Sequence, residues 1–306
     1  MIEHVIFDFD GTCTQIPEIH ELFSEDYRKS FSAVLQKSAE EAGNAGEEWH
    51  AVTAEEWTEA QMLVRNSSPK QGWTVASTPS APVAADPYIL ADESAKLIAR
   101  RRKLPPPSGS GLHSGSYHRF PAPWRQEVRE ILGELHRRGI AIHFISNSSS
   151  KYVSGRLDEL LADEPEIRRS ISIESDAGKF FVRELNWGVN PSVSEPLRKI
   201  FEALPAAEDP AGLAMSRPIY LRRGSYFEAI CRALGNNVAN LSKTLVCGDV
   251  WELDLAMPFY VGMQVHLIDR ASPFDTYEYE RLRIDACGAR GGSSKDLNGV
   301  LQRLKI

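Results

Sequence analysis

The chain of 306 residues lacks the sequence features of several large protein classes. It has four widely scattered cysteines and no CxxC pair, so neither a disulfide framework nor a cysteine zinc site is expected. Its eight histidines include no HExxH pair, and no apolar run approaches the length of a membrane span. We therefore expect a cytoplasmic protein with reduced thiols, at Cys13, Cys231, Cys247 and Cys287.

Positive charge is also in deficit. The net charge of −7 and the pI of about 5.7 argue against nucleic acid or an anionic membrane as a partner. The basic run at residues 100–103 is expected to be a solvated helix end, where cations favour the helix dipole. The first apolar run begins close to Met1, so we do not expect a secretory leader. A small phosphorylated molecule is the partner that the motifs below indicate, and they do not predict an oligomeric state.

What the chain does contain is a series of short apolar runs that alternate with helical patterns. Such alternation predicts an α/β fold with a doubly wound parallel sheet. Helices are expected at Trp124–Arg138 and at Tyr226–Leu234, the second with Ser225 as its N-cap. The predicted core strands are His4–Phe9, Ile140–Ile145, Thr244–Cys247 and Gln264–Ile268.

Residues 15–121 interrupt this alternation. We predict that they form an inserted, mainly α-helical cap domain with Pro/Ser-rich loops, and that residues 1–14 and 122–306 form the α/β core. The helical patterns are Glu21–Ala42, a helix after the capping box at Thr53, and Asp92–Arg102, with a Ser/Pro-rich stretch at Asn66–Pro87. Three tryptophans in this segment are expected to form either its small core or part of a pocket: Trp49, Trp57 and Trp73.

The most informative residues are Asp8 and Asp10, at the end of the first predicted strand. Side chains two residues apart on a strand face the same side, so two anions are held close together. Their repulsion is costly unless a cation or a shared proton offsets it. The pair therefore indicates a hard metal ion and phosphoryl chemistry.

Two further strand ends carry polar groups. The second predicted strand is followed by Ser146 and Asn147, a hydroxyl and an exposed N–H that could hold a phosphate or could simply form a turn. The third is followed by Asp249 and, five residues later, Asp254. Ligands of open α/β sheets bind at this edge of the strands, although an aspartate there could also be a helix N-cap.

Together these residues resemble the haloacid dehalogenase-like (HAD) superfamily, in its phosphatase-type form with a Rossmann-like core. The resemblance lies in the DxDGT sequence of residues 8–12, in Ser146 after an apolar strand, and in the GDxxxxD sequence of residues 248–254. It covers the α/β scaffold, about two thirds of the chain. The insertion is similar to the family's C1-type cap in position and helical character only.

The resemblance implies a role for each of these residues. Asp8 would be the nucleophile that forms an aspartyl-phosphate, and Asp10 the general acid and base. Ser146 and Asn147 would bind the phosphoryl group. Asp10 also implies a phosphatase and not a dehalogenase, because the family's dehalogenases lack this acid. Mg²⁺ would be bound by Asp8, Asp10 (through its backbone carbonyl), Asp249 and Asp254, with Glu252 as a substitute for Asp254.

One position departs from the family pattern. A lysine is expected before the helix that leads to the last acidic motif, and Arg222 and Arg223 stand there instead. Arginine is not equivalent to lysine in geometry. Lys179 is a rival, but it lies 70 residues before Asp249, whereas Arg222 lies 27 residues before it. We favour Arg222 as the phosphate-binding cation. No structure is predicted for residues 181–218.

The favoured function is a Mg²⁺-dependent hydrolase of a small phosphorylated metabolite. One alternative is a phosphomutase or phosphotransferase, in which the aspartyl-phosphate passes to a second hydroxyl group. Another is a non-catalytic binding protein on a degenerate phosphatase scaffold, suggested by the missing lysine and the irregular insertion. No residue of the insertion identifies the substrate.

Overall fold

The computed structural model describes residues 1–41, 50–67, 72–75, 78–105, 112–185, 187–188, 193–208 and 217–305. The strands are β1 (His4–Phe7), β2 (Gly72–Val75), β3 (Thr78–Pro82), β4 (Ala141–Ile145), β5 (Ile171–Glu174), β6 (Ala207–Glu208), β7 (Ile219–Tyr220), β8 (Thr244–Gly248), β9 (Gln264–Ile268) and β10 (Ser293–Ser294). The helices are α1 (His20–Glu41), α2 (Ala54–Ser67), α3 (Pro87–Arg101), α4 (Leu112–Arg119), α5 (Val128–Arg137), α6 (Ser150–Leu160), α7 (Pro165–Ser170), α8 (Glu195–Glu202), α9 (Gly224–Ala233), α10 (Ala256–Tyr260), α11 (Glu278–Ala286) and α12 (Asn298–Arg303). None of the helices described has both the length and the apolar character that a membrane span needs.

A six-stranded sheet in the order β10-β9-β8-β1-β4-β5 forms the centre of the α/β part. Every neighbouring pair in it is parallel. The four predicted core strands are confirmed as β1, β4, β8 and β9. The first is shorter than predicted, because the chain turns after Phe7 and leaves Asp8 beyond the last strand residue.

Strand β1 shows why this sheet is covered on both faces. Its side chains alternate: Val5 and Phe7 belong to one hydrophobic cluster and Ile6 to another. Helices α5, α6 and α12 contribute to the first cluster, and α8, α9, α10 and α11 to the second. A strand buried on both faces reads as a continuous apolar run. The prediction of a doubly wound α/β core is therefore confirmed.

Helices α1 to α4 and the antiparallel hairpin β2–β3 lie between β1 and β4 in the chain. The chain leaves and re-enters the core side by side, since Thr14 pairs antiparallel with Trp124 and the N–H of Gln15 donates to the carbonyl of Pro123 over 2.8 Å. The insertion is thus helical with one hairpin, in the stretch predicted to be a loop. The division at residues 14 and 121 stays a prediction. The helices of the insertion share an apolar cluster that is separate from the two clusters of the core. It includes Phe23, Tyr27, Phe31, Trp57, Leu90 and Ile98.

Some predicted helix starts are wrong for local reasons. Helix α5 begins at Val128 because Trp124 is extended in its bridge with Thr14. Ser225 is not an N-cap: α9 already begins at Gly224, and the Ser225 hydroxyl accepts a hydrogen bond from Arg183.

Helix α3 begins at Pro87, earlier than predicted, because the Asp86 carboxylate accepts the N–H of Ile89 over 2.7 Å and proline suits the first turn. The predicted helix end at Ala42, and Trp49, lie outside the described residues.

The segment without a predicted structure contributes to the core. Helix α8 places Leu197 and Phe201 in the same cluster as Ile6, and β6 pairs antiparallel with β7, which begins just after this segment. This segment separates β5 from α9 along the chain. Its length therefore increases the sequence distance between groups that lie close together in space.

Candidate active site

The two carboxylates of the first motif lie where the central strand of the sheet ends. Asp8 directly follows β1, and its N–H donates to the carbonyl of Cys247 on β8 over 2.9 Å. Ser146 follows β4 and Asp249 follows β8, the two strands that flank β1. Because the strands are parallel, these three groups meet at one edge of the sheet.

The cation at Asp8 is Lys179, which follows β5. Its Nζ donates to Asp8 Oδ1 over 2.6 Å and to Asp254 Oδ1 over 2.9 Å, and the side chain is 1% exposed. The backbone N–H of Lys179 donates to Asn147 Oδ1 over 2.8 Å. This bond connects residues 175–180, which we call the lysine loop, to the turn after β4.

The preference for Arg222 is therefore corrected by the structure. Arg222 donates to Glu184 Oε1 over 2.7 Å and to the carbonyl of Leu204, and neither group belongs to the site. Sequence distance to Asp249 was the wrong criterion, because the chain between Lys179 and Arg222 includes helix α8, which belongs to the core. The signal that could have found Lys179 is the short run Ile171–Glu174, now strand β5, which ends five residues before the lysine.

Arg223 has a different position again. It is fully buried, and its guanidinium donates to the carbonyl of Lys179 over 2.6 Å and to the hydroxyl of Ser80 over 2.9 Å. Ser80 in turn donates to the carbonyl of Phe180 over 2.5 Å. Arg223 thus holds the backbone of the lysine loop against strand β3 of the insertion.

Three carboxylates can hold a metal ion. One oxygen each of Asp8, Asp249 and Asp254 lies within 4.8 Å of the others, and all three side chains are buried or nearly so. Oxygen ligands of this kind are those that Mg²⁺ prefers. The Asp254 carboxylate is oriented by the N–H of Val250, which donates to its Oδ2 over 3.0 Å.

Glycine makes this close approach possible at two points. A Cβ on Gly248 would lie 2.2 Å from Cβ of Asp254, and one on Gly11, whose φ is +80°, would lie 2.3 Å from Asp249 Oδ2. Glu252, the suggested substitute for Asp254, does not reach the cluster. It forms a buried bidentate ion pair with Arg217, with both contacts at 2.7 Å.

Burial dominates the electrostatics of the cluster. It raises the pKa of Asp8 to about 7, against the opposing effect of Lys179, with Asp254 raising it further. Burial likewise raises the pKa of Asp249 well above its usual range, with Asp254 adding to the shift. Although burial by itself lowers the pKa of Lys179, Asp254 and Asp8 raise it above its usual range. One ammonium does not balance three carboxylates, so the cluster favours a further cation.

Asp10 is held by two hydroxyl groups that the sequence did not single out. Tyr117 on α4 of the insertion donates to Asp10 Oδ2 over 2.7 Å, and Ser148 donates to the same oxygen over 2.8 Å. Burial raises the pKa of Asp10, while these two bonds lower it. A raised pKa keeps a carboxyl group available as a proton donor. No sequence pattern marks Tyr117, because only the fold brings α4 to the sheet edge.

Beside these groups lies a cavity of about 480 Å³. Asp8, Asp10, Ser146, Asn147, Asp249 and Asp254 all line it. The tryptophans of the insertion have different positions. Trp73 lines the cavity, whereas Trp57 is buried in the apolar cluster of the insertion. The structure therefore brings together every predicted site residue except Arg222.

No protein-family model and no curated protein matches this chain. Among solved structures, it is similar to a predicted phosphoglycolate phosphatase from Haemophilus somnus 129PT, at 12% identity and a TM-score of 0.47, covering 98% of this chain and 97% of that one. It is also similar to a HAD phosphatase from Thermococcus onnurineus (14%, TM-score 0.42, covering 99% and 98%). A third is a 2-haloacid dehalogenase from Pseudomonas syringae pv. tomato DC3000 (15%, TM-score 0.41, covering 100% and 99%). With TM-scores below 0.5, these likenesses leave the function to be inferred from the residues of the chain itself.

Proposed function

We propose that this protein is a Mg²⁺-dependent phosphatase of the HAD superfamily that hydrolyses a small phosphate monoester through an aspartyl-phosphate. The observation that carries the proposal is the contact of Lys179 with Asp8 beside a cluster of three carboxylates. A carboxylate that lines a cavity beside an ammonium is suited to attack the phosphorus atom of a phosphate ester, because the ammonium and a bound metal ion would balance the negative charge of the phosphoryl oxygens.

Asp8, Asp249 and Asp254 would hold the metal ion, whose role when bound is to neutralise charge on the phosphoryl oxygens. Asp8 would attack phosphorus as the bond to the ester oxygen breaks. Asp10 would give its proton to that oxygen, which leaves as an alcohol. Asp10 would then take a proton from water, whose oxygen attacks phosphorus and releases inorganic phosphate and the Asp8 carboxylate. Ser146 and the backbone of its turn would bind the phosphoryl oxygens.

The alternative of a non-catalytic scaffold was suggested by a missing lysine and by the irregular insertion. The first of these reasons no longer holds, because Lys179 contacts Asp8. A phosphomutase would use the same first step and is separated from a phosphatase by its products, since a mutase yields an isomer with little free phosphate.

The direct test is phosphate release from p-nitrophenyl phosphate with and without Mg²⁺, in the natural protein and in Asp8→Asn. We expect Mg²⁺-dependent turnover that Asp8→Asn abolishes, because an amide is not a nucleophile toward phosphorus. The far-ultraviolet circular dichroism spectrum serves as the control for folding. Equal turnover by Asp8→Asn would contradict the proposal.

A further inference from the structure

The walls of the active-site cavity beyond the carboxylates are largely apolar. The insertion contributes the rings of Trp73 and Tyr88 and the side chain of Ile89, and the core contributes Phe180 and Leu253. The centroids of the Trp73 and Phe180 rings lie 5.4 Å apart, so the two elements share one aromatic wall. This part of the cavity would surround the alcohol portion of a phosphate ester, because the phosphoryl group must lie at Asp8.

Positive charge is scarce along these walls. None of the lining residues that the structure describes is a lysine or an arginine. The nearby ammonium of Lys179 is bound by Asp8 and Asp254, so it is committed to the reaction centre. The positive charge of Lys179 and of a bound metal ion would therefore be used to bind the phosphoryl group at the sheet edge, and not the alcohol portion of the ester.

Two lining carboxylates belong to the insertion, and they differ. Asp92 is paired with Lys96 over 2.6 Å, a lysine that also contacts Glu93 over 2.8 Å. Asp86, the N-cap of α3, accepts the N–H of Ile89, and no ion pair to it is found among the described residues. Asp86 therefore adds a carboxylate without an ion-pair partner among the described residues to the cavity wall; burial raises its pKa, and the charge of Arg270 lowers it.

We infer that the cavity takes phosphate monoesters whose alcohol portion is partly apolar and either neutral or cationic, and that it discriminates against esters with a second anionic group. This inference rests on the proposed phosphatase activity. A carboxylate or second phosphate on the alcohol would lose its hydration among aromatic rings, would meet Asp86, and would find no lysine or arginine on the described walls.

The test compares three esters that differ only at the far end of one ring: benzyl phosphate, 4-carboxybenzyl phosphate and 4-(aminomethyl)benzyl phosphate. Their leaving alcohols are chemically similar, so differences in kcat/KM report binding of the remote group. We expect the carboxylate ester to be slower than benzyl phosphate by at least about tenfold, and the ammonium ester to match or exceed benzyl phosphate.

The variant Asp86→Asn tests whether the charge of Asp86 causes the discrimination against the carboxylate ester. Asparagine caps a helix as well as aspartate does, so α3 is kept while the charge is removed. We expect the ratio of carboxylate to benzyl ester kcat/KM to rise several-fold. Glu195→Gln on α8, which removes an exposed charge outside the cavity, should leave that ratio unchanged.

The outcomes separate the two proposals. No Mg²⁺-dependent turnover of any ester would contradict the proposed phosphatase and this inference with it. Turnover in which the carboxylate ester equals or exceeds benzyl phosphate would contradict the substrate class alone. An unchanged ratio in Asp86→Asn would show that Asp86 is not the residue that discriminates.

Discussion

At the scale of single residues, three cations of the sequence compete for one role, and their surroundings decide among them. Lys179 lies 2.6 Å from Asp8, Arg222 pairs with the exposed Glu184, and Arg223 is buried against backbone carbonyls. A lysine is a compact point charge that can contact two carboxylates at once, whereas a guanidinium requires a planar fork of acceptors. The site between Asp8 and Asp254 therefore suits lysine.

We predict that Lys179→Ala lowers kcat for p-nitrophenyl phosphate by about two to three orders of magnitude, the usual effect of removing a charge-stabilising donor. Lys179→Arg should restore little of the activity because the guanidinium does not fit between the two carboxylates. Arg222→Ala is the matched control and should keep kcat within about twofold, since its contacts lie outside the site. A larger loss in Arg222→Ala than in Lys179→Ala would reverse the assignment.

At the scale of elements, the site depends on how parallel strands end. Strands β4, β1 and β8 are neighbours in the sheet, so the turns that follow them meet, and each turn carries polar groups of the site. Strand β8 ends at Gly248, which allows the π-helical turn Trp251–Leu255 to bring Asp254 back against the strand. This return path explains why Asp249 and Asp254 belong to one carboxylate cluster that can hold a metal ion.

We predict that Gly248→Ala weakens Mg²⁺ activation and lowers stability, because the new Cβ would lie 2.2 Å from Cβ of Asp254 and the turn must move. The measurement is the Mg²⁺ concentration for half-maximal activity, together with the melting temperature. Gly155→Ala in α6 is the control, since nothing lies within 4 Å of a Cβ there and alanine favours a helix by up to about 1 kcal/mol. An unchanged Mg²⁺ dependence in Gly248→Ala would contradict this account of the turn.

At the scale of the whole molecule, the insertion contacts both sides of the reaction centre. Tyr117 on α4 donates to Asp10, and Ser80 on β3 bonds to Arg223 and to the carbonyl of Phe180, next to Lys179. The two connections to the core run side by side at Thr14 and Trp124. The position of the insertion is therefore linked to the orientation of Asp10 and of the loop that carries Lys179.

A pH dependence of folding follows from two histidines buried in the sheet. Burial lowers the pKa of His143 on β4 and of His266 on β9 from the usual 6.5 to about 4. Between these values the two histidines bind protons in the unfolded chain but not in the folded protein, so their contribution to the free energy of unfolding falls as pH falls through this window. Each histidine contributes up to ~3 kcal/mol to that loss, which is complete near pH 4.

Urea unfolding at several pH values checks this prediction. His143→Gln should reduce the slope of unfolding free energy against pH between 6.5 and about 4, whatever its effect on stability at neutral pH. His50→Gln, which changes an exposed histidine, should keep the natural slope. Equal slopes in all three proteins would show that buried His143 does not carry the effect.

The sequence by itself determined the α/β class, the four core strands and the carboxylates at their ends, because burial on both faces and a strand–turn junction leave local patterns. Only the tertiary structure decided which cation meets Asp8, that Glu252 pairs with Arg217, and that Tyr117 and Asp86 reach the cavity from the insertion. Those choices depend on contacts between residues far apart in the chain. Sequence spacing carries no information about such contacts when inserted segments lengthen the path between them.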